Sequence, residues 1–208
     1  GMFGKWHLGD SYPYRPQDRG FETVVYHGGG GVGQQPDAWG NDYFDDTYFN
    51  GETPKRYDGY CTDVFFREAL RFVENHRDAP FFCMISTNAP HGPFNVETEY
   101  RQRYADKAGS EEYARFLGMI SNIDENLGTL RDKLRELDIE DNTILVFMSD
   151  NGQTGGHGDA DVFNSGMRGM KGSPYEGGHR IPCFLRWPDG GFSTARPVNE
   201  LASYVDFM

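Results

Sequence analysis

Strand-like apolar runs alternate along this chain with segments whose apolar residues recur at helical spacing. The clearest helical stripe lies between Glu111 and Leu137, and the apolar run 143–149 (TILVFMS) follows it closely. Such continuous apolar runs are typical of strands that are buried on both faces of a sheet. The alternation predicts an α/β fold in which helices flank a mostly parallel central sheet. The expected helices span 62–76 and 111–137, and the expected strands span 21–26, 80–87, 143–149 and 180–187.

The charge balance and the hydropathy limit the classes of partner. The 208 residues include 20 basic and 32 acidic side chains, which gives a net charge of −12. A surface of this sign repels nucleic acid, so we expect no nucleic-acid partner. No stretch approaches the ~20 consecutive apolar residues that a membrane-spanning helix needs, so we expect no membrane span. Any site for an anionic substrate must be locally cationic.

The three cysteines do not form a recognisable metal or redox motif. Cys61, Cys83 and Cys183 have neither CxxC spacing nor an even number. Cys83 and Cys183 lie inside apolar runs, and this predicts buried thiols.

Two short motifs place reactive side chains at or near predicted strands. In Gly4-Lys5-Trp6-His7-Leu8-Gly9, an extended backbone would point Lys5 and His7 the same way, toward one anion. The alternative is a surface lysine beside a partly buried histidine. Asp150 and Asn151 directly follow the run 143–149, and their oxygens suit Ca²⁺ or Mg²⁺. The alternative there is a simple Asn-Gly turn.

Two further residues lie in loops next to predicted strands. His91 sits between Pro90 and Pro93, which stiffen the loop that follows the run 80–87. Lys171 belongs to a glycine-rich loop before the strand at 180–187. Each residue alone is compatible with ordinary polar surface. Together with the two motifs, they predict a divalent metal and several cations arranged around a tetrahedral oxyanion.

The order of these motifs resembles the sulfatase family. The segment GKWHLG is similar to a sulfatase signature, and Ala89-Pro90-His91, Ser149-Asp150-Asn151-Gly152 and the stretch from Lys171 to Pro182 follow in the family's order. Arg186-Trp187-Pro188 and Val205-Asp206 complete the pattern. The resemblance extends over essentially all 208 residues and implies an alkaline-phosphatase-like α/β fold and a sulfuric ester hydrolase.

The resemblance also implies a role for each matching residue. Asp150 and Asn151 would be two ligands of a Ca²⁺ ion, with Mg²⁺ as the alternative metal. Lys5 and Lys171 would bind the sulfate group. The catalytic histidines would be two: His7 would support a hydrated formylglycine nucleophile, and His91 would bind sulfate and protonate the leaving oxygen. The substrate would be a sulfated small molecule or glycan.

One part of the family pattern has no counterpart in these residues. Upstream of the segment similar to GKWHLG, sulfatases carry a C/S-x-P/A-x-R motif, whose first residue becomes formylglycine, and near the amino terminus they carry an Asp-Asp pair. None of the three cysteines is followed by such a motif. We therefore expect residues 1–208 to be a partial catalytic core, without the nucleophile segment and the C-terminal subdomain, and inactive by itself. We expect the parent protein to be periplasmic or secreted, although no signal segment is visible.

Alternatives remain open at this point for function and for three histidines. A phosphoesterase or phosphonate hydrolase of the same superfamily would use similar loops, because phosphate and sulfate are both tetrahedral. A non-catalytic binding fragment is the third hypothesis. His157 follows the metal motif closely and is a candidate for lining the substrate pocket, whereas His179 precedes a strand and has a packing role as its alternative. His27 has no assigned role.

Overall fold

The computed structural model describes residues 1–32, 42–154 and 163–207. The chain forms two compact units, and the boundary between them follows residue 137. The described part of the first unit contains residues 1–32 and 42–137, and that of the second contains residues 138–154 and 163–207.

The first unit is built on a five-stranded sheet. Its strands are β1 (Met2–Lys5), β2 (Val24–His27), β3 (Thr47–Asn50), β4 (Thr53–Arg56) and β5 (Met84–Ser86), and their order in the sheet is β4-β3-β2-β1-β5. Strand β1 pairs in parallel with β2 and with β5, so Phe3 lies opposite both Val25 and Ile85. Strands β3 and β4 form an antiparallel hairpin that extends the sheet beyond β2. The sheet is therefore mixed, and the expected parallel pairing forms its β2-β1-β5 part.

Two long helices accompany this sheet, as the sequence predicts. Helix α1 (Cys61–His76) buries Val64, Phe65, Ala69 and Val73 at helical spacing, and its Phe72 ring lies 5.7 Å from the ring of Phe3 on β1. Helix α2 (Thr98–Gln102) is short. Helix α3 (Glu111–Glu136) begins after Ser110, whose side-chain oxygen accepts a hydrogen bond from the backbone N–H of Tyr113.

The second unit contains one pair of strands. Strand β6 (Leu145–Met148) pairs antiparallel with β7 (Cys183–Arg186), and helix α4 (Glu176–His179) precedes β7. Within the described residues, no helix is both long and apolar enough to cross a membrane.

The expected burial of the apolar strands at 80–87 and 143–149 on both faces is wrong, and the strand at 180–187 is exposed as well. Phe82 before β5 is 70% exposed, and Phe147 and Phe184 are 36% and 66% exposed. Strand β5 lies at an edge of its sheet, so only one side of it is paired. Strands β6 and β7 form a two-stranded sheet, and the helix that precedes β7 has only four residues. Neither setting supplies enough packing to cover both faces of a strand.

Candidate functional site

Lys5 is the last residue of β1, and the glycine before it determines how closely that strand approaches β5. Gly4 has φ 122°, and a Cβ atom added there would lie 2.0 Å from the carbonyl oxygen of Ser86. A side chain at this position would collide with the neighbouring backbone. Gly4 therefore permits the close pairing of β1 and β5, which brings the Lys5 segment and the loop after Ser86 to neighbouring positions.

His7 is exposed, and its neighbour Trp6 anchors the segment. The Trp6 side chain is buried, its Nε1–H donates to the carbonyl of Tyr14 at 2.7 Å, and its ring meets the ring of Phe21 edge-on. His7 itself has φ 56°, in the left-handed region. The expected extended backbone is therefore wrong at His7, because the strand ends at Lys5. The convergence of Lys5 and His7 on one anion stays a prediction.

The loop that carries His91 is held by side chains on both sides of the histidine. The Nδ2–H of the buried Asn88 donates to the hydroxyl of Tyr43 at 2.8 Å, and that hydroxyl donates to the carbonyl of His91 at 3.2 Å. The Thr87 hydroxyl donates to the carbonyl of Ala89 at 2.7 Å, and the His91 backbone N–H donates to the carbonyl of Asn88 at 3.0 Å. The backbone of His91 is thus fixed from two directions.

The His91 ring contacts the backbone of the next residue. Its Nδ1 lies 2.9 Å from the carbonyl oxygen of Gly92. A carbonyl oxygen only accepts hydrogen bonds, so Nδ1 carries a proton in this contact. The second ring nitrogen, Nε2, is then the atom at which a proton can be gained or released. This arrangement suits a general acid or base.

Three chemically active segments follow parallel strands of the first unit. Strands β1, β2 and β5 are parallel, so their carboxyl ends lie at the same end of the sheet. Lys5 and His7 follow from β1, and His91 follows from β5. His27 ends β2, is buried, and lies opposite Lys5 in the strand register. A lysine and three histidines therefore lie at or after the carboxyl ends of these three strands.

The metal motif and Lys171 belong to the second unit, where backbone contacts bring their loops together. Asp150 and Asn151 follow β6. The N–H of Gly152 donates to the carbonyl of Gly178 at 3.1 Å, and a Cβ atom at Gly152 would lie 2.0 Å from the carbonyl oxygen of Gly177. The N–H of Lys171 donates to the carbonyl of Gln153 at 2.7 Å. The glycine-rich loop is therefore packed against the metal motif.

The side chains of the metal motif are suited to a hard divalent cation. Asp150 is exposed and offers a carboxylate. The Asn151 Nδ2–H donates to the carbonyl of Gly152 at 3.0 Å, and this leaves Oδ1 as its ligand-type atom. Ca²⁺ takes about six to eight oxygens, so these two can form part of such a site. In the ranges 1–32, 42–154 and 163–207, no group of three or more His, Cys, Asp or Glu side chains is arranged to hold a metal.

The cysteines differ in their surroundings. Cys61 is fully buried, and burial raises the pKa of its thiol to about 12. Burial raises the pKa of the Cys83 thiol to about 11. Both are therefore protonated at neutral pH and poor nucleophiles. Cys183 is exposed, and its expected burial is wrong because β7 lies in a two-stranded sheet.

The structure adds support residues that sequence reasoning missed. Tyr43 and Asn88 hold the His91 loop, and the Tyr204 hydroxyl donates to the carbonyls of Ser149 and Asp150 at 3.1 and 2.5 Å. Asn88 directly precedes the Ala89-Pro90-His91 motif, but the sequence gives no signal for Tyr43 or Tyr204. His157 lies outside the described residues, and His179 is exposed at the end of α4.

Comparisons with known proteins point to one family. N-acetylgalactosamine-6-sulfatase of Homo sapiens is 27% identical to this chain over 238 residues, which cover 100% of the chain and 40% of the human protein. An arylsulfatase of Hemicentrotus pulcherrimus is 28% identical over 233 residues, with 100% of this chain and 39% of that protein covered. The chain thus spans less than half the length of these curated relatives.

Solved structures agree with this similarity in fold. The crystal structure of Ps i-CgsB in complex with k-i-k-neocarrahexaose matches with a TM-score of 0.79 and 28% identity, over 90% of this chain and 44% of that chain. The PsFucS1 sulfatase from Pseudoalteromonas sp. matches with a TM-score of 0.66 and 21% identity, over 93% of this chain and 43% of that chain. The fold is therefore alkaline-phosphatase-like. The Sulfatase family model matches residues 1–208, so this chain belongs to the sulfatase family, which implies a metal ion.

Proposed function

We propose that the protein containing this chain hydrolyses sulfate esters. The observation that carries this proposal is made at the carboxyl ends of the parallel strands β1 and β5. Strand β1 ends at Lys5 and is followed by His7, and β5 is followed by His91. A cation and two imidazoles that follow neighbouring strands suit the binding of an oxyanion and the transfer of a proton. Family membership supports the same reaction.

The roles of the residues follow from the charge that develops in the reaction. Cleavage of the S–O bond places negative charge on the leaving oxygen. Lys5 and Lys171 bind the sulfate oxygens and stabilise that charge. His91 transfers the proton from Nε2 to the leaving oxygen while the Gly92 carbonyl holds the proton on Nδ1. His7 supports the nucleophile that attacks the sulfur atom.

Asp150 and Asn151 would contribute to a Ca²⁺ site, with Mg²⁺ as the alternative metal. Their carboxylate and amide oxygens are hard ligands, as these ions require. When bound, the ion would polarise the sulfate group. The family resemblance also implies a formylglycine nucleophile, whose C/S-x-P/A-x-R motif precedes the GKWHLG-like segment in the family. None of the three cysteines begins this motif, and the serine match at Ser11–Arg15 follows GKWHLG instead. No step of the mechanism is therefore assigned to a residue of that motif.

We propose sulfated glycans as the substrate class. Human N-acetylgalactosamine-6-sulfatase, which aligns with the whole chain, is named for a sulfated sugar. The net charge of −12 requires that an anionic glycan be met by local cations, and Lys5 and Lys171 are the proposed ones. A sulfated monosaccharide is therefore the first natural substrate to test.

The test compares an aryl sulfate with the matching aryl phosphate, using the full-length protein that contains this chain. We expect turnover of the sulfate, and His91→Ala should lower kcat about 100-fold or more for a poor leaving group. His76→Ala is the matched control, since His76 ends α1 before β5 begins, whereas His91 follows β5. A clear preference for the phosphate would favour the phosphoesterase alternative. Binding of sulfate without turnover of either ester would favour a non-catalytic protein.

A further inference from the structure

The side chain of Tyr43 connects the His91 loop to the segment that precedes β3 and to the start of α1. The Tyr43 ring is buried and stacks on the ring of Tyr60, with the centroids 6.2 Å apart. Its carbonyl accepts a hydrogen bond at 2.8 Å from the N–H of Cys61, the first residue of α1. Tyr43 is therefore held by the start of α1, independently of the His91 loop.

The segment around Tyr43 is fixed by a second buried side chain. Asp46 is 4% exposed, and its carboxylate accepts hydrogen bonds from the N–H groups of Asp42 at 2.9 Å and Thr47 at 2.7 Å. These bonds lie on both sides of Tyr43 in the sequence. The position of the Tyr43 hydroxyl is therefore determined by the backbone of residues 42–47 and by α1.

The hydroxyl of Tyr43 connects this fixed segment to the His91 loop. It accepts from the Nδ2–H of Asn88 at 2.8 Å and donates to the carbonyl of His91 at 3.2 Å. Burial raises the pKa of Tyr43, so the hydroxyl remains a donor throughout the neutral range. Because Asn88 occupies its acceptor side, its proton is directed to His91.

We propose that Tyr43 is a positioning residue that sets the location of the His91 ring relative to the leaving oxygen. This inference rests on the proposed function, in which His91 donates a proton to that oxygen. The Tyr43 hydrogen bond fixes the backbone of His91, and the Gly92 carbonyl fixes the ring. Proton transfer depends steeply on such placement, since a displacement of about 1 Å can cost about 100-fold in rate.

The experiment uses Tyr43→Phe in the full-length protein, with aryl sulfates of good and poor leaving groups. Tyr43→Phe retains the ring and removes only the hydroxyl. We expect kcat for the poor leaving group to fall about tenfold, with a smaller fall for the good leaving group and little change in KM. Tyr57→Phe is the matched control, because it removes the hydroxyl of another buried tyrosine, which accepts from Asn50 at 3.0 Å. We expect it to leave the leaving-group dependence unchanged.

A second variant keeps the inference testable if Tyr43→Phe does not fold. Asn88→Ala removes the donor that orients the Tyr43 hydroxyl, and it should produce a smaller loss with the same leaving-group dependence. Equal losses for both leaving groups in the variants would overturn the positioning role. If His91→Ala itself shows no leaving-group dependence, the proposed role of His91 fails instead. A leaving-group effect in His91→Ala that is absent from Tyr43→Phe and Asn88→Ala contradicts only the inference about Tyr43.

Discussion

Because Gly4 has no side chain, β1 and β5 can pair closely. The residue combines φ 122° with a distance of 2.0 Å between its would-be Cβ and the Ser86 carbonyl oxygen. Gly4→Ala should therefore destabilise the first unit by about 2–4 kcal/mol, because it adds backbone strain to a collision that needs the strands to separate. Chemical denaturation of the 208-residue chain measures this loss.

Gly128 is the matched control for Gly4→Ala. It lies in α3, and a Cβ atom added there would meet nothing within 4 Å. Gly128→Ala should stabilise the chain by roughly 0.5–1 kcal/mol, since alanine favours the helix. Equal stability of the two alanine variants would show that the strands tolerate a side chain at Gly4.

At the scale of elements, α1 and α3 are joined by a buried polar contact. The Asp63 carboxylate on α1 accepts hydrogen bonds from Asn122 at 2.8 Å and from Asn126 at 2.7 Å, both on α3. Asn122 is 0% exposed. Asn122→Ala should cost about 1.5–3 kcal/mol of stability, because it removes a hydrogen bond to a charged group. Thermal unfolding monitored by circular dichroism would measure the change.

Arg115→Ala on the same helix provides the comparison for Asn122→Ala. Arg115 forms an exposed ion pair with Glu111 at 2.7 Å, one helical turn away. Such surface pairs contribute about 0–1 kcal/mol. A larger loss of stability in Arg115→Ala than in Asn122→Ala would show that the contact between Asp63 and Asn122 does not stabilise the packing of α1 and α3.

The elements that sequence analysis located are those with a strong local period. The helices at Cys61–His76 and Glu111–Glu136 agree with expectation within one or two residues, because their apolar spacing is a local property. The sequence analysis does not predict the hairpin of β3 and β4, although its two-residue turn begins with Gly51, which has φ 62°. The expected burial of β6 is wrong, because burial depends on which other elements cover a strand.

Local sequence patterns also reveal only part of the candidate site. Lys5 and His91 were singled out from their motifs, and β1 and β5 do pair in parallel. The left-handed backbone of His7 and the role of Tyr43 have no local signal in the sequence. Tyr43 acts on a residue 48 positions away, so its function exists only once β5 and α1 are in place.

At the scale of the whole molecule, the chain contains two units that carry different parts of the proposed site. Lys5, His7 and His91 belong to the first, and Asp150, Asn151 and Lys171 belong to the second. Each unit therefore carries its own part of the proposal: the first a lysine and two histidines, and the second the metal motif and a lysine. The activity of the 208-residue chain tests a separate requirement, the nucleophile.

The 208-residue chain alone should not hydrolyse a chromogenic aryl sulfate, with or without added Ca²⁺. In the proposed function, Lys5 and Lys171 would stabilise charge only after a nucleophile attacks sulfur, and none of the three cysteines begins a C-x-P/A-x-R motif. Raised pKa values of about 12 and 11 also keep the Cys61 and Cys83 thiols protonated. Loss of a nucleophile can lower kcat by about 10⁶-fold. Turnover by this chain that persists in a Cys183→Ser variant would show that another residue attacks sulfur.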